Sequence, residues 1–231
     1  MSESEKVRSD MGFDLANTLF EDLSNQLLYE VFDYLDGCDI YQTFEHLNIR
    51  FNDLLCDPSL FLRIDLSSES ETKLERLCRD VIVPNRHRLR SLTLSDHSLV
   101  DKLFTDHSTN SPLTSLQSVV LYDIPDLHVP AVLSYLNCLP CLVSLTVTLE
   151  QDYFYSLGYI YRLIFRCPHL KYCKLSTPDY EGHEIVVPMS INQNPSNIER
   201  LIIGHPCTIE EISSLLLHGA FSSISILRSV G

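Results

Sequence analysis

The chain has 231 residues, 45% of them hydrophobic, with 17 Lys and Arg against 31 Asp and Glu and a formal net charge of -14. That is enough apolar residue for a buried core, in one domain or in a small module followed by a repeat array. The charge is uneven: residues 1–60 hold thirteen acids against Lys6, Arg8 and Arg50, leaving four net negatives for everything beyond. Such acidity opposes phosphate-backbone binding, so no nucleic-acid partner is expected.

Residues 1–17 lack apolar periodicity and are expected to form a flexible acidic tail. The opening MSESEKVRSD is polar where a secretory signal needs an apolar stretch, which points to a cytoplasmic and/or nuclear protein. The most apolar window, residues 129–149, is long enough to span a bilayer. Pro130, Asn137 and Pro140 interrupt it, and it divides into a helix-like half and a strand-like half, so it is expected to be soluble core and no membrane contact is expected. Eight cysteines at irregular intervals, with no export signal, predict reduced and mostly buried thiols.

Order is expected to begin near Leu19. Leu23, Leu27, Leu28, Val31, Phe32 and Leu35 recur at helical spacing and predict one amphipathic helix with Ser24 as its N-cap. Asp36 and Gly37 supply turn chemistry, and Asp39 with Gln42 has the form of a capping box opening a second helix. Ile40, Phe44, Leu47, Phe51 and Leu54 continue the apolar stripe, with Asn48 dividing a second helix from a third and Asp57-Pro58 stopping the run. Three short helices bury too little surface to be stable alone, so this module needs a neighbour, either the rest of the chain or a partner protein.

The stretch LSNQLLYEVFDYLDGCDIYQTFEHLNIRFNDLLCDPSLF, residues 23–61, resembles an F-box in spacing and residue class. Leu23, Tyr34-Leu35, Asp39-Ile40, Arg50-Phe51 and Asp57-Pro58-Ser59-Leu60-Phe61 carry the match. Ser24 replaces the usual Pro, and Phe51 and Phe61 stand where Trp is commoner. The resemblance implies a module over residues 18–60 that binds the Skp-family adaptor of a cullin-RING ubiquitin ligase. The positions it implicates in that contact are Leu23, Leu27, Val31, Leu35, Ile40, Leu47, Phe51 and Leu54.

Beyond the module a period is visible. The pattern LxxLxL, with any aliphatic or similar residue at the L positions, starts at Phe61, Leu89, Leu116, Leu142, Leu170, Ile198 and Phe221, at intervals of 28, 27, 26, 28, 28 and 23 residues. Seven recurrences at a nearly constant interval indicate a real array. Between them lie helical patterns at residues 73–83, 131–139, 156–165 and 209–217, and Pro140, Pro168 and Pro195 precede strands. Residues 61–231 therefore resemble the leucine-rich repeats that follow many F-boxes. The fold expected is α/β: a three-helix F-box module, then a short, irregular leucine-rich-repeat solenoid with a parallel sheet on its concave face and helices on its convex face. The asparagine or cysteine usual three residues past the last L is absent: His97, Ile124, Glu150, Pro178 and Pro206 occupy those positions. The loops then need other backbone partners. The last repeat starts early and no polar capping helix precedes Gly231, so an apolar end surface is expected.

In such strands the two later L positions point inward and the residues between them face the open side. That alternation nominates Arg63, Tyr122, Tyr172, Lys174 and Arg200 as substrate-binding, on a hydroxyl-rich and mildly basic face suited to an acidic or phosphorylated protein segment. A second basic cluster, Arg76, Arg79, Arg86, Arg88 and Arg90, is either a solvated face or a phosphate reader. Cys138-Leu139-Pro140-Cys141 ends a helix instead of opening one, which argues against redox use. The chain has no HExxH, no GxSxG and no phosphate-cradling glycine loop. No metal or other cofactor and no catalysis are expected. The chain reads as a non-enzymatic adaptor, the substrate receptor of a ubiquitin ligase, or alternatively as a repeat scaffold without ligase association.

Overall fold

The structure, a computed structural model, describes residues 19–104, 113–150, 157–177, 196–217 and 221–226. The expected tail at residues 1–17 and Pro195 lie outside them. Three helices come first: α1 (Asn25–Phe32), α2 (Gly37–Phe44) and α3 (Ile49–Cys56). Local capping sets all three. Ser24 Oγ accepts the Leu27 N–H at 3.3 Å, and Asn48 Oδ1 accepts the Phe51 N–H at 3.0 Å. The second helix departs from expectation, because it is capped by Asp36, whose Oδ1 accepts the Cys38 N–H at 2.7 Å. Asp39 lies in the first turn, and the expected Asp39–Gln42 box is not the cap. Helix α3 ends at Cys56, ahead of Asp57-Pro58 as expected.

A stack of phenyl rings fills the module. Phe44 lies 5.0 Å from Phe32, 5.1 Å from Phe51 and 5.6 Å from Phe20, centroid to centroid. Arg50 ties the start of α3 to the start of α1, donating to Asn25 Oδ1 at 2.9 Å and to the carbonyls of Glu21 and Leu23.

The remaining elements are β1 (Leu62–Asp65), α4 (Glu71–Leu77), β2 (Leu89–Leu94), α5 (His97–Phe104), β3 (Ser118–Ile124), α6 (Val129–Leu136), β4 (Ser144–Leu149), α7 (Leu157–Ile164), β5 (Tyr172–Ser176), β6 (Arg200–Gly204), α8 (Ile209–Leu216) and β7 (Ser223–Ile226). The seven strands form one parallel sheet in chain order. Each strand adds beside the last, with α4, α5, α6 and α7 between successive strands from β1 to β5 and α8 between β6 and β7, which makes the architecture a solenoid-like α/β fold. The register runs Ile64, Leu92, Val119, Leu145, Cys173, Leu201, Ile224, so each LxxLxL start falls one strand further on. Residues 129–149 divide as expected into α6 and β4.

Two elements differ from expectation. The segment expected as one helix at residues 73–83 is α4 continued by a π-helical turn, Cys78–Ile82. Helix α5 was not read from the sequence at all, and His97, at the missing ladder position, is its first residue.

Backbone carbonyls link successive repeats at the start of each strand. Gln117 O accepts from Val143 and Ser144 N–H, Val143 O from Lys171 and Tyr172, Lys171 O from Glu199 and Arg200, and Glu199 O from Ser222 and Ser223, all at 2.8–3.0 Å. Each repeat thus grips the next just before its strand.

One hydrophobic core runs from Leu28 in α1 to Leu215 in α8. The module closes the first edge of the sheet: Asp36 Oδ2 accepts the β1 N–H of Asp65 at 2.7 Å. Gly37 lies so near β1 that a Cβ there would stand 3.0 Å from Ile64 Cγ1 and 3.2 Å from Leu62 Cβ.

Candidate interaction surfaces

Helix α1 has two apolar faces. Leu28 and Phe32, four residues apart, are buried against the core. Leu27 and Leu35 are exposed and Val31 is half-buried, so the stripe read from the sequence splits into an inner and an outer half. Tyr34, in the turn that follows α1, is 91% exposed. Leu47 is 52% and Ile49 80% exposed, at the end of the module where Arg50 holds the start of α3 beside Asn25. Leu23 is half-buried and packs on the core.

Of the eight positions expected to touch an adaptor, Ile40, Phe51 and Leu54 are instead buried in this chain's own core. A side chain buried in the core has no surface to offer a partner, so these three maintain the module. The outer set is Leu27, Val31, Leu35 and Leu47. Tyr34 and Ile49 join it, although the sequence reading did not place them there.

The open face of the sheet is the second surface. One row, set by strand register, runs Arg63, Ser91, Ser118, Ser144, Tyr172, Arg200, Ser223. The next runs Asp65, Thr93, Val120, Thr146, Lys174, Ile202, Ser225. The inward residues of β1 to β6 are buried, whereas Arg63, Tyr122 and Arg200 are exposed and Tyr172 and Lys174 half-buried. The five residues nominated from the alternation therefore share one face. Arg200 lies over the Tyr172 ring, 5.9 Å from its centroid. Tyr122 stands where β3 loses register with β4, next to Asp123 with a left-handed φ of 50°.

Between the two surfaces lies a buried polar junction. Arg88 Nη1 donates to the carbonyls of Leu55 and Asp57 at the end of α3, both at 2.8 Å. Its Nη2 donates to Tyr41 Oη at 2.7 Å and to Asn85 Oδ1. Arg86, equally buried, donates to the Leu103 carbonyl of α5 at 2.9 Å. Arg79 pairs with Asp80. The basic cluster is therefore no surface phosphate reader, since two of its arginines satisfy main-chain carbonyls inside the protein.

All eight cysteines are free. Cys38, Cys78, Cys167 and Cys173 are buried, and Cys56, Cys138 and Cys141 are exposed, so burial covers only half of the set. Burial pushes the Cys167 thiol up to about 12 and raises Cys173 further. The His205 ring meets Tyr161 Oη at 2.8 Å and the Pro206 carbonyl at 2.9 Å. Nδ1 therefore carries the proton toward that carbonyl, and Nε2 accepts from the tyrosine. Among the described residues no group of three or more His, Cys, Asp or Glu could hold a metal ion. None of the described helices is long and apolar enough to cross a membrane.

No protein-family model and no curated protein sequence matches the chain.

Proposed function

We propose that the chain is a protein-binding adaptor, the substrate receptor of a cullin-RING ubiquitin ligase, with an F-box at residues 18–60 and leucine-rich repeats beyond it. The observation that carries this reading is the outward apolar set of Leu27 and Val31 on α1, whose Leu28 and Phe32 are already buried, continued by Tyr34 and Leu35 in the turn that follows the helix. Apolar residues left at helical spacing on a capped, packed module suit insertion of a partner's helices. The resemblance of residues 23–61 to an F-box makes that partner a Skp-family adaptor. The open sheet face, held rigidly by the Arg88 junction, would then present the target protein. In this reading the chain performs no chemistry itself.

The same covering of β1 by α2 favours a second reading, in which the three helices act only as the end cap of a repeat scaffold. Co-expression with a Skp-family adaptor separates the two. The ligase reading expects a stoichiometric complex on size exclusion that is lost in Leu27→Asp and in Tyr34→Asp, with the melting temperature of the second variant unchanged because Tyr34 is 91% exposed. Wild type that elutes free of the adaptor leaves only the end-cap reading.

A further inference from the structure

We propose that the open face of the sheet binds an extended segment of a partner protein carrying two anionic groups about seven residues apart, one held by Arg63 and the other by Arg200. The substrate-receptor reading supplies only the partner's fate; the recognition itself rests on the sheet.

Arg63, Ser91, Ser118, Ser144, Tyr172 and Arg200 occupy one register row across six strands. Side chains in one row leave the sheet on the same side. The row has a distinct middle and distinct ends. Three successive serines give β2, β3 and β4 a shallow floor whose hydroxyls can both donate to and accept from a peptide backbone. Arg63 closes one end of that floor, and Arg200 beside the Tyr172 ring closes the other.

Charge distribution selects the ligand. In a protein of net charge -14, the acids adjoining this row are already engaged. Asp65 Oδ1 accepts the Ser67 N–H at 2.9 Å and its hydroxyl at 2.7 Å. Glu199 pairs with Lys171 at 2.8 Å. Among the described residues neither Arg63 nor Arg200 forms an ion pair. Each guanidinium is thus available for a two-pronged bond to a carboxylate or phosphate.

Spacing follows from sheet geometry. Five inter-strand steps of roughly 4.8 Å separate β1 from β6, about 24 Å, which an extended chain crossing the strands covers in about seven residues. A segment with one anionic group, or with two close together, reaches only one arginine.

Fluorescence anisotropy of the full chain with labelled Gly/Ser/Ala peptides tests this. The peptides carry two glutamates seven apart, two glutamates three apart, or a single glutamate. The seven-spaced peptide is expected to bind about tenfold more tightly than the other two, with the advantage shrinking as salt is raised. Arg63→Glu and Arg200→Glu should each reduce it to the level of the single-glutamate peptide. A peptide with lysine at one end should restore binding to the corresponding variant, which also shows that the variant is folded. Equal binding of the three peptides to wild type, or no measurable binding of any, overturns the proposal without recourse to variants. So does a spacing preference that survives both reversals. Adaptor binding measured in parallel separates the two ideas: a chain that binds the adaptor but ignores peptide spacing overturns only this proposal, and one that reads the spacing without binding adaptor overturns only the ligase reading.

Discussion

A buried guanidinium is tolerated where its N–H groups find acceptors, and Arg88 has four: two carbonyls ending α3, the Tyr41 hydroxyl and the Asn85 amide oxygen. Arg88→Met would remove all four bonds and leave the single Tyr41 hydroxyl proton to serve either the Leu55 carbonyl or Asn85 Oδ1. The expected loss is about 2–4 kcal/mol, read as a lower urea midpoint. A variant as stable as wild type would show that the junction contributes nothing. Nothing local in the sequence distinguishes Arg88 from Arg79, because burial depends on what α3 brings to it from thirty residues upstream. His205 makes a second residue-scale prediction. Burial holds its imidazole below the ordinary 6.5. As pH falls below 6.5 the unfolded chain takes up a proton that the folded chain refuses, so this contribution is complete above pH 6.5 and is lost on acidification. His205→Gln should show a shallower fall in melting temperature between about pH 7 and pH 5 than wild type. Parallel curves for the two proteins would remove His205 from the acid response.

At the scale of elements, the α1 stripe shows what periodicity can and cannot resolve. Spacing identified an apolar helix, but Leu27 and Leu28 are neighbours in sequence of which only Leu28 is buried, and the inner side, through Phe32, meets the phenyl stack. The capping of α2 was misplaced for a related reason. Asp36 serves both its own helix and the β1 N–H of Asp65, and the second bond is tertiary. Gly37 marks how closely the two elements approach. Gly37→Ala should force α2 away from Ile64 and Leu62 and cost about 1–3 kcal/mol, measured by thermal or urea unfolding. An unchanged midpoint would mean that the contact relaxes freely. Helix α5 was not among the helical patterns expected, although its buried Leu99, Val100, Leu103 and Phe104 carry ordinary helical spacing.

At the scale of the molecule, module and array share one core, and the Arg88 junction lies on their boundary. A fragment of residues 1–60 loses the β1 face beneath Gly37 and the donor to the ends of α3. It is expected to remain unfolded by circular dichroism, whereas the full chain melts in one transition. A folded fragment would show the module to be independent and its attachment to the sheet incidental. Rigid attachment sets the orientation of the outer apolar stripe relative to the open sheet face, the relation an adaptor of the proposed kind needs.

The seven-fold period, the alternation along each strand and the three helix-sized runs were all legible in the sequence, because each repeats locally at a spacing that backbone geometry dictates. The register keeps the repeat positions aligned across the strands, with the inward residues of β1 to β6 buried. Tertiary structure alone decided which side of α1 stayed outside, which arginines were buried, and that Ile40, Phe51 and Leu54 serve the core instead of a partner. Those outcomes depend on which distant element supplies the opposing surface or the hydrogen-bond acceptor. No local pattern encodes that.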